Sequence, residues 1–514
     1  MSTTRALSPT SLASAGRNRR WAGLAVLVLA IVLVVVDATV LVLAIPEITE
    51  TMRPSATQLL WIGDVYSFVL AGLLVSMGSL SDRIGRKRLL MTGSAAFGAA
   101  SLLAAYAPAA GWLIAARALL GVAGATIMPS TLSLIRALFP DDRERATAIG
   151  IWGAAATAGA AAGPLLGGVL LEHFWWGSVF LLNLPVMALL IGLGLWLLPE
   201  SRDPRPGRWD VLSVLLSMTG VIAVVYAVKE AAANGPGHWN VPVTAVLGTA
   251  ALVLFVRRQL RLETPLLDVR LFADRRFTAA VVGALVAVLG LAGVVFFMSQ
   301  YLQLVRDYSP LRAGLAEMPA FVGATVTAVL TARLARAAGA RATLVGSMAA
   351  LGLALGALGW LQQDSGYLLL ATVFTVVGAG EGLVYTLSAD MVLTAAPAAR
   401  SGAASAVSET AYELGTALGI ALFGSVLTAV YTRGVGVPAD VPPAVAEQAR
   451  QSLGAAMEAA RTLPAATGTA LTEAARGSFV HGLGTAAWLA ALLVLAGALL
   501  AWRLLRPTGR VTRP

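Results

Sequence analysis

The sequence predicts an all-α polytopic membrane protein with 14 transmembrane helices arranged 6+2+6. Three observations predict it. First, 58% of the 514 residues are hydrophobic and only 12% are charged, whereas about a quarter of the residues of a soluble domain carry charge. Second, charge-free runs such as Leu89 to Ala116, Ala146 to Leu171, Phe277 to Val305 and Gly477 to Trp502 exceed the ~20 apolar residues that cross a ~30 Å hydrocarbon core. Third, the basic residues are asymmetric. With the N-terminus placed inside, 28 of the 37 Lys and Arg fall on the inner side, 8 on the outer side, and Arg117 within a span. The positive-inside rule then puts both termini in the cytoplasm.

In chain order, a polar tail (1–20) ends in Arg17, Asn18, Arg19 and Arg20 and reads as an uncleaved anchor, not a signal peptide. Six spans follow at about 22–45, 58–80, 89–107, 111–136, 146–171 and 177–198, within a block covering 21–200. Two extra spans, 209–229 and 240–256, lie in a segment 201–275 that closes on the Arg-rich linker Arg257 to Arg276. A second block, 276–506, holds spans at 277–303, 312–332, 342–361, 367–391, 402–430 and 478–502, and a short tail, 507–514, ends the chain. Each span reads as helix, because a helix satisfies its own backbone in lipid and these runs are too long and uniformly apolar for barrel strands. The outer loop 432–477 contains two Ala-rich stretches, Pro443 to Leu463 and Ala465 to Arg476. They predict a short helical hairpin, either a lid or a passive appendage.

Composition also excludes function classes. The net charge of +10 follows from the topology, so nucleic-acid binding need not be invoked. The absence of cysteine excludes disulfides and thiolate chemistry. His173, His238 and His481 form no ligand cluster, and no nucleophile–histidine or metal constellation points to an enzyme. The expectation is a chain without cofactor, working as a monomer in a bacterial cytoplasmic membrane.

Six carboxylates stand inside the apolar spans: Asp37, Asp64, Glu317, Glu381, Glu409 and Glu413. One basic residue, Arg117, stands there with them. An ionisable group at that depth costs ~3 kcal/mol or more by insertion scales, so acids retained there face a cavity, a proton or a cationic ligand. Asp37 is the natural partner for Arg117, since neither tolerates isolation in the apolar layer. Glu409 and Glu413 are four residues apart on one predicted helix, about 40° from each other, so both can face one cavity. Two negative charges ~6 Å apart repel by about 3 kcal/mol at an effective dielectric near 20, so the pair should hold one proton near neutral pH and bind a cation in its place. Glu381 lies among Gly378, Gly380 and Gly382, which leave space around it. Glu317 stands either as a secondary cation contact or as a solvated acid at a helix end. Asp390, nine residues beyond Glu381, points about 180° away and reads as structural or gating. Trp61, Tyr66 and Tyr412 offer aromatic faces to an organic cation, with packing and interfacial anchoring an equal explanation.

An internal repeat is audible in the loops. Gly78-Ser-Leu-Ser-Asp82-Arg83-Ile-Gly85-Arg86-Lys87-Arg88 follows the second span of the first block, and Arg333 to Arg341 follows the second span of the second. Gly85 then aligns with Gly339 and Lys87 with Arg341, while Arg336 replaces Asp82. Parallel repeats of this kind place a substrate site near the midplane between halves.

Further motifs are Val36-Asp37-Ala-Thr39 on the first span, Arg117-Ala-Leu-Leu-Gly121 on the fourth, Gly159-Ala-Ala-Ala-Gly163-Pro164-Leu-Leu-Gly167-Gly168 on the fifth, and Trp175-Trp-Gly-Ser to Asn183-Leu-Pro185 opening the sixth. Together with the Gly78 loop and Ser408-Glu409 to Glu413-Leu-Gly415, they resemble the major facilitator superfamily. Within it, the closest likeness is to the fourteen-helix drug:proton antiporters of the QacA-like branch. Leu120 stands where that family has Gln. The resemblance implies a major facilitator fold and a proton-coupled exporter of cationic or amphipathic drugs acting by alternating access. The alternatives are an uptake symporter of the same fold and a dedicated exporter of an antibiotic made by the cell. It implies proton coupling by Asp37 and Arg117, and cation contacts from Asp64, Glu409 and Glu413, with Glu381 and Glu317 as further candidates by their position in the spans. It also implies a latch formed by Gly78, Asp82, Arg83, Gly85, Arg86 and Lys87. Gly159, Gly163, Pro164, Gly167 and Gly168 are implied as a conformational face, the glycines recurring every four residues so that a neighbouring helix approaches closely.

Overall fold

The computed structural model describes residues 9–506 except 53, 55, 203–209, 236, 264, 266, 268, 309 and 398–400. Seventeen α-helices form it, and no strand occurs among the described residues. They are α1 Pro9–Met52, α2 Ala56–Ile84, α3 Arg86–Ala105, α4 Ala110–Leu138, α5 Asp142–His173, α6 Ser178–Leu181, α7 Asn183–Leu197, α8 Val211–Asn234, α9 Asn240–Arg261, α10 Arg275–Gln300, α11 Pro310–Ala338, α12 Ala340–Leu358, α13 Tyr367–Ala395, α14 Ser401–Gly434, α15 Pro443–Gln451, α16 Leu453–Ala460 and α17 Ala465–Leu504. Among the described residues, 13 helices are long and apolar enough to cross a bilayer. A further pair, Val65–Leu74 and Ser76–Ile84, makes one more span within α2, bent by 55°.

Boundaries follow local chemistry. Asp141 caps α5 by accepting from the backbone N–H groups of Arg143 and Glu144, both at 3.0 Å. The Glu144 N–H bond chiefly holds its carboxyl below the usual range. Asp274 caps α10 through the Arg276 N–H at 2.7 Å. Gly85 and Gly339 adopt φ of +113° and +83° at the N-caps of α3 and α12, a left-handed turn that a side chain resists.

The chain divides into two compact units. Unit 1 comprises Met1–Met218, Leu254–Val269 and Val392–Thr410. Within it α1 packs on α5, α2 on α4, and α3 on α4 and α7. Small residues permit these approaches: a Cβ at Gly121 would lie 2.6 Å from the Tyr66 carbonyl oxygen on α2. The N-terminal end of α8 and the C-terminal end of α9 are also joined here. Arg258 donates to both Asp210 oxygens at 2.7 and 3.1 Å, and Gln259 donates to Ser213 at 2.6 Å. The Arg258 hydrogen bonds bring the Asp210 carboxyl down to about 2.

Unit 2 comprises Thr219–Val253, Arg270–Met391 and Ala411–Pro514. Here α17 packs on α10 and α12, and α16 packs on both α15 and α17. The loop 432–477 departs from the expected hairpin in one respect. Residues 443–463 form α15 and α16, but Ala465 to Arg476 is the first part of the 40-residue α17 rather than a separate limb. No glycine or proline breaks the run from Ala465 to Arg476 except Gly468, so the helix propagates outward from its apolar half. Tyr431 anchors α15 by donating to the Ala449 carbonyl at 2.8 Å.

Candidate functional site

In unit 1, α1 and α4 bring Asp37 and Arg117 together. Arg117 Nη1 donates to Asp37 Oδ2 at 3.4 Å, and both side chains are almost wholly buried. Arg117 Nε also donates to the Ile62 carbonyl at 3.3 Å, and its guanidinium lies 4.7 Å from the centroid of the Tyr66 ring. Tyr66 therefore belongs by geometry to this pair, one face of its ring being taken by Arg117. The other Asp37 oxygen accepts from Asn183 Nδ2 at 2.7 Å, and the same nitrogen donates to Ser101 Oγ at 3.0 Å. Five helices thus converge on one ion pair: α1, α2, α3, α4 and α7.

The ionised form of this pair is hydrogen-bonded on both carboxylate oxygens, as burial of a charge requires. Guanidinium does not deprotonate in proteins, so a proton arriving on Asp37 removes the negative charge that Arg117 Nη1 meets at 3.4 Å while the positive charge stays.

Behind Asp37, the α5 glycines face α1. A Cβ at Gly159 would sit 3.2 Å from the Val32 carbonyl oxygen, one at Gly163 would collide with Thr39, and one at Gly167 would lie 2.6 Å from Val40 Cγ2. Gly168 meets nothing within 4 Å and lies off this face. The side chains of Pro164 and Asp64 lie outside the described residues. Trp61 is partly exposed and stacks edge-on with Phe68, centroids 6.1 Å apart.

The Gly78 loop forms a second charged cluster in unit 1. Asp82 Oδ1 accepts from Arg86 Nε and Nη2 at 3.1 and 2.9 Å, and its Oδ2 accepts from the Ala403 N–H at 3.2 Å, close to the N-terminus of α14. There the helix dipole favours a carboxylate. Arg86 also donates to Ser201 at 2.8 Å. Arg136 donates to the carbonyls of Leu393 and Ala396. Arg83 is exposed, Gly78 is buried within α2, and a Cβ at Gly85 would lie 2.5 Å from Glu200 Oε1. The repeat acquires a structural counterpart: Lys87 donates to the Leu195 carbonyl at 2.7 Å, and Arg341 to the Trp502 carbonyl at 3.1 Å. Each closes the C-terminal end of the last long helix of its block.

In unit 2, Tyr412 donates to Glu381 Oε1 at 3.0 Å, and the Tyr385 and Tyr412 rings meet edge-to-face with centroids 4.8 Å apart. Glu317, partly buried on α11, has an Oε1 without a hydrogen-bond partner. On the unbroken α14, Glu409 in the unit 1 portion and Glu413 in the unit 2 portion keep their i,i+4 register; Glu409 is fully buried and Glu413 only partly. Among the described residues no group of His, Asp and Glu is placed to hold a metal ion.

Sequence reasoning assigned no role to Asn183, Ser101 or Tyr385. Asn183 had a signal: it is the only amide in the apolar stretch 177–198. Ser101 and Tyr385 had none, since a serine or tyrosine in such a helix is ordinary.

Helices of bilayer length around a buried ion pair whose carboxylate is hydrogen-bonded on both oxygens define a polytopic membrane protein of the secondary-transporter class. The family model for the Major Facilitator Superfamily matches residues 27–420, and the chain belongs to this superfamily. The chain is 48% identical over 486 residues to the multidrug efflux pump LfrA of Mycolicibacterium smegmatis, covering 94% of this chain and 95% of that protein. It is 37% identical over 480 residues to the methyl viologen resistance protein SmvA of Salmonella typhimurium, covering 93% and 97%. The crystal structure of the human organic anion transporter MFSD10 superposes with a TM-score of 0.61 at 15% identity, covering 92% of this chain and 99% of that one. That likeness concerns the fold alone.

Proposed function

We propose that this protein exports cationic or amphipathic drugs in exchange for protons, by alternating access across the bacterial cytoplasmic membrane, as a monomer with both termini inside. The observation that carries the reading is the Asp37–Arg117 pair: a carboxylate and a guanidinium buried together at 3.4 Å in a chain 48% identical to a multidrug efflux pump. Protonation of Asp37 removes the negative charge that Arg117 meets and alters the contact of α1 with α4, which couples a proton to a conformational change. The Asp82–Arg86–Ala403 cluster acts as the latch, released and remade in each cycle.

Asp64, Glu409, Glu413, Glu381 and Glu317 supply negative charge for the drug, with Tyr412 and Trp61 as aromatic surfaces. Methyl viologen, an organic dication, is a suitable probe because Glu409 and Glu413 lie one helical turn apart on α14.

The test is transport into inverted membrane vesicles carrying the protein. An inwardly acid gradient should drive accumulation of ethidium and methyl viologen, and a protonophore should abolish it. Asp37→Asn should remove gradient-driven uptake, while Glu409→Gln with Glu413→Gln should depress methyl viologen transport more than ethidium transport. Uptake that persists undiminished in Asp37→Asn, or that ignores the gradient, rules the reading out.

A further inference from the structure

We propose that Asn183 is a positioning residue that reports the protonation state of Asp37 to its surroundings by rotation of its amide. The inference rests on the proton-coupling role of Asp37. With Asp37 ionised, both of its oxygens need donors, and Asn183 Nδ2 supplies one at 2.7 Å while giving its second hydrogen to Ser101 Oγ at 3.0 Å. Asn183 Oδ1 is buried and accepts no hydrogen bond. An amide left half-satisfied at this depth is a group awaiting a donor.

Protonation of Asp37 supplies that donor. A carboxyl O–H on Oδ1 cannot accept a bond from an NH2 group along the same line and also donate there. Turning the amide by half a rotation places Oδ1 where Nδ2 stood. It then accepts from the Asp37 O–H and from Ser101 Oγ–H, whose hydroxyl both donates and accepts. The contacts among Asp37, Asn183 and Ser101 are therefore kept in either state, while the far side of the amide carries Oδ1 in one state and the NH2 group in the other. The rotation carries the NH2 group away from Asp37, so the protonated state presents two new donors on the opposite side of Asn183. Asn183 is the first residue of α7 and follows α6 by one residue of helical dihedrals, Leu182, so this signal arises near the start of the continuous span Ser178–Leu197.

Other charged or titratable groups facing Asp37 are few. Arg117 comes from α4, and Tyr66 from α2 lies against Arg117, with Asp64 two residues before it in the chain. α3 from Leu89 to Ala105, α5 from Ala146 to Leu171, and α6 and α7 carry no charged residue.

The experiment is an infrared titration of the purified full-length protein in liposomes, following the carbonyl stretch of protonated carboxyls. The band missing from Asp37→Asn belongs to Asp37. Asn183→Leu, with the same heavy-atom branching, removes a hydrogen bond to a charged acceptor, and the Asp37 midpoint should rise by about one to two pH units. Asn183→Asp keeps the shape but brings a second acid, and should raise it further. The pH profile of drug transport should move with the band in each case, while substrate affinity at low pH stays near wild type. An Asp37 midpoint unchanged in both variants overturns the assignment of Asn183. If Asp37→Asn loses no titrating band and still couples drug to protons, the proton-coupling reading itself fails, and the role of Asn183 falls with it.

Discussion

At the scale of single residues, the distribution of charge by depth carries most of the information. Asp37 and Arg117 are 80 positions apart, yet each is intolerable alone in an apolar layer, so pairing follows from physical chemistry before any coordinates are known. Their energetics are asymmetric. Arg117→Met should destabilise the protein by about 3–5 kcal/mol, because it leaves the Asp37 carboxylate buried without a counter-charge. Adding Asp37→Asn to that variant should restore most of the loss, since the uncompensated charge is then gone. Chemical or thermal unfolding in detergent micelles compares the three; a double variant no more stable than Arg117→Met contradicts this account. The aromatic residues were less legible. Tyr66 reads in sequence as a face for an organic cation, but one of its faces meets Arg117, because a guanidinium stacks on a ring wherever the two meet away from water.

At the scale of elements, span existence was written in the apolar runs, whereas joints and lengths were not. The 55° bend in α2 and the extension of α17 to Ala465 leave no periodic signal, since each depends on what the helix packs against. Small residues were partly legible. The four-residue spacing of Gly159, Gly163 and Gly167 predicted a shared face, and the structure shows that the face meets α1 beside Asp37. Gly121 matters for the same reason on α4. Gly121→Ala should press on the Tyr66 backbone and cost about 1–3 kcal/mol of stability. Gly111→Ala, on the same helix with nothing within 4 Å, should be neutral or stabilising by up to about 1 kcal/mol. Melting temperatures of the purified variants decide; equal effects at both positions would remove the packing explanation.

At the scale of the whole molecule, charge asymmetry is the ground for the proposed orientation. The natural chain has no cysteine, so single cysteines report topology without background. A membrane-impermeant maleimide should label Glu447→Cys, in α15, in intact cells. Glu200→Cys should be labelled only after permeabilisation. The reverse pattern would invert the membrane orientation, which rests on 28 basic residues against 8.

The sequence by itself determined the class of fold and the apolar runs long enough to span a bilayer, because burial in lipid penalises charge and exposed backbone so heavily that composition alone encodes them. Only the tertiary structure decided which of those side chains meet. It joined Asn183 and Ser101 to Asp37, set Tyr412 on Glu381, and brought Asp82 to the Ala403 N–H. Hydrogen-bond geometry between helices depends on their rotation and close approach, quantities that no single helix carries in its own pattern.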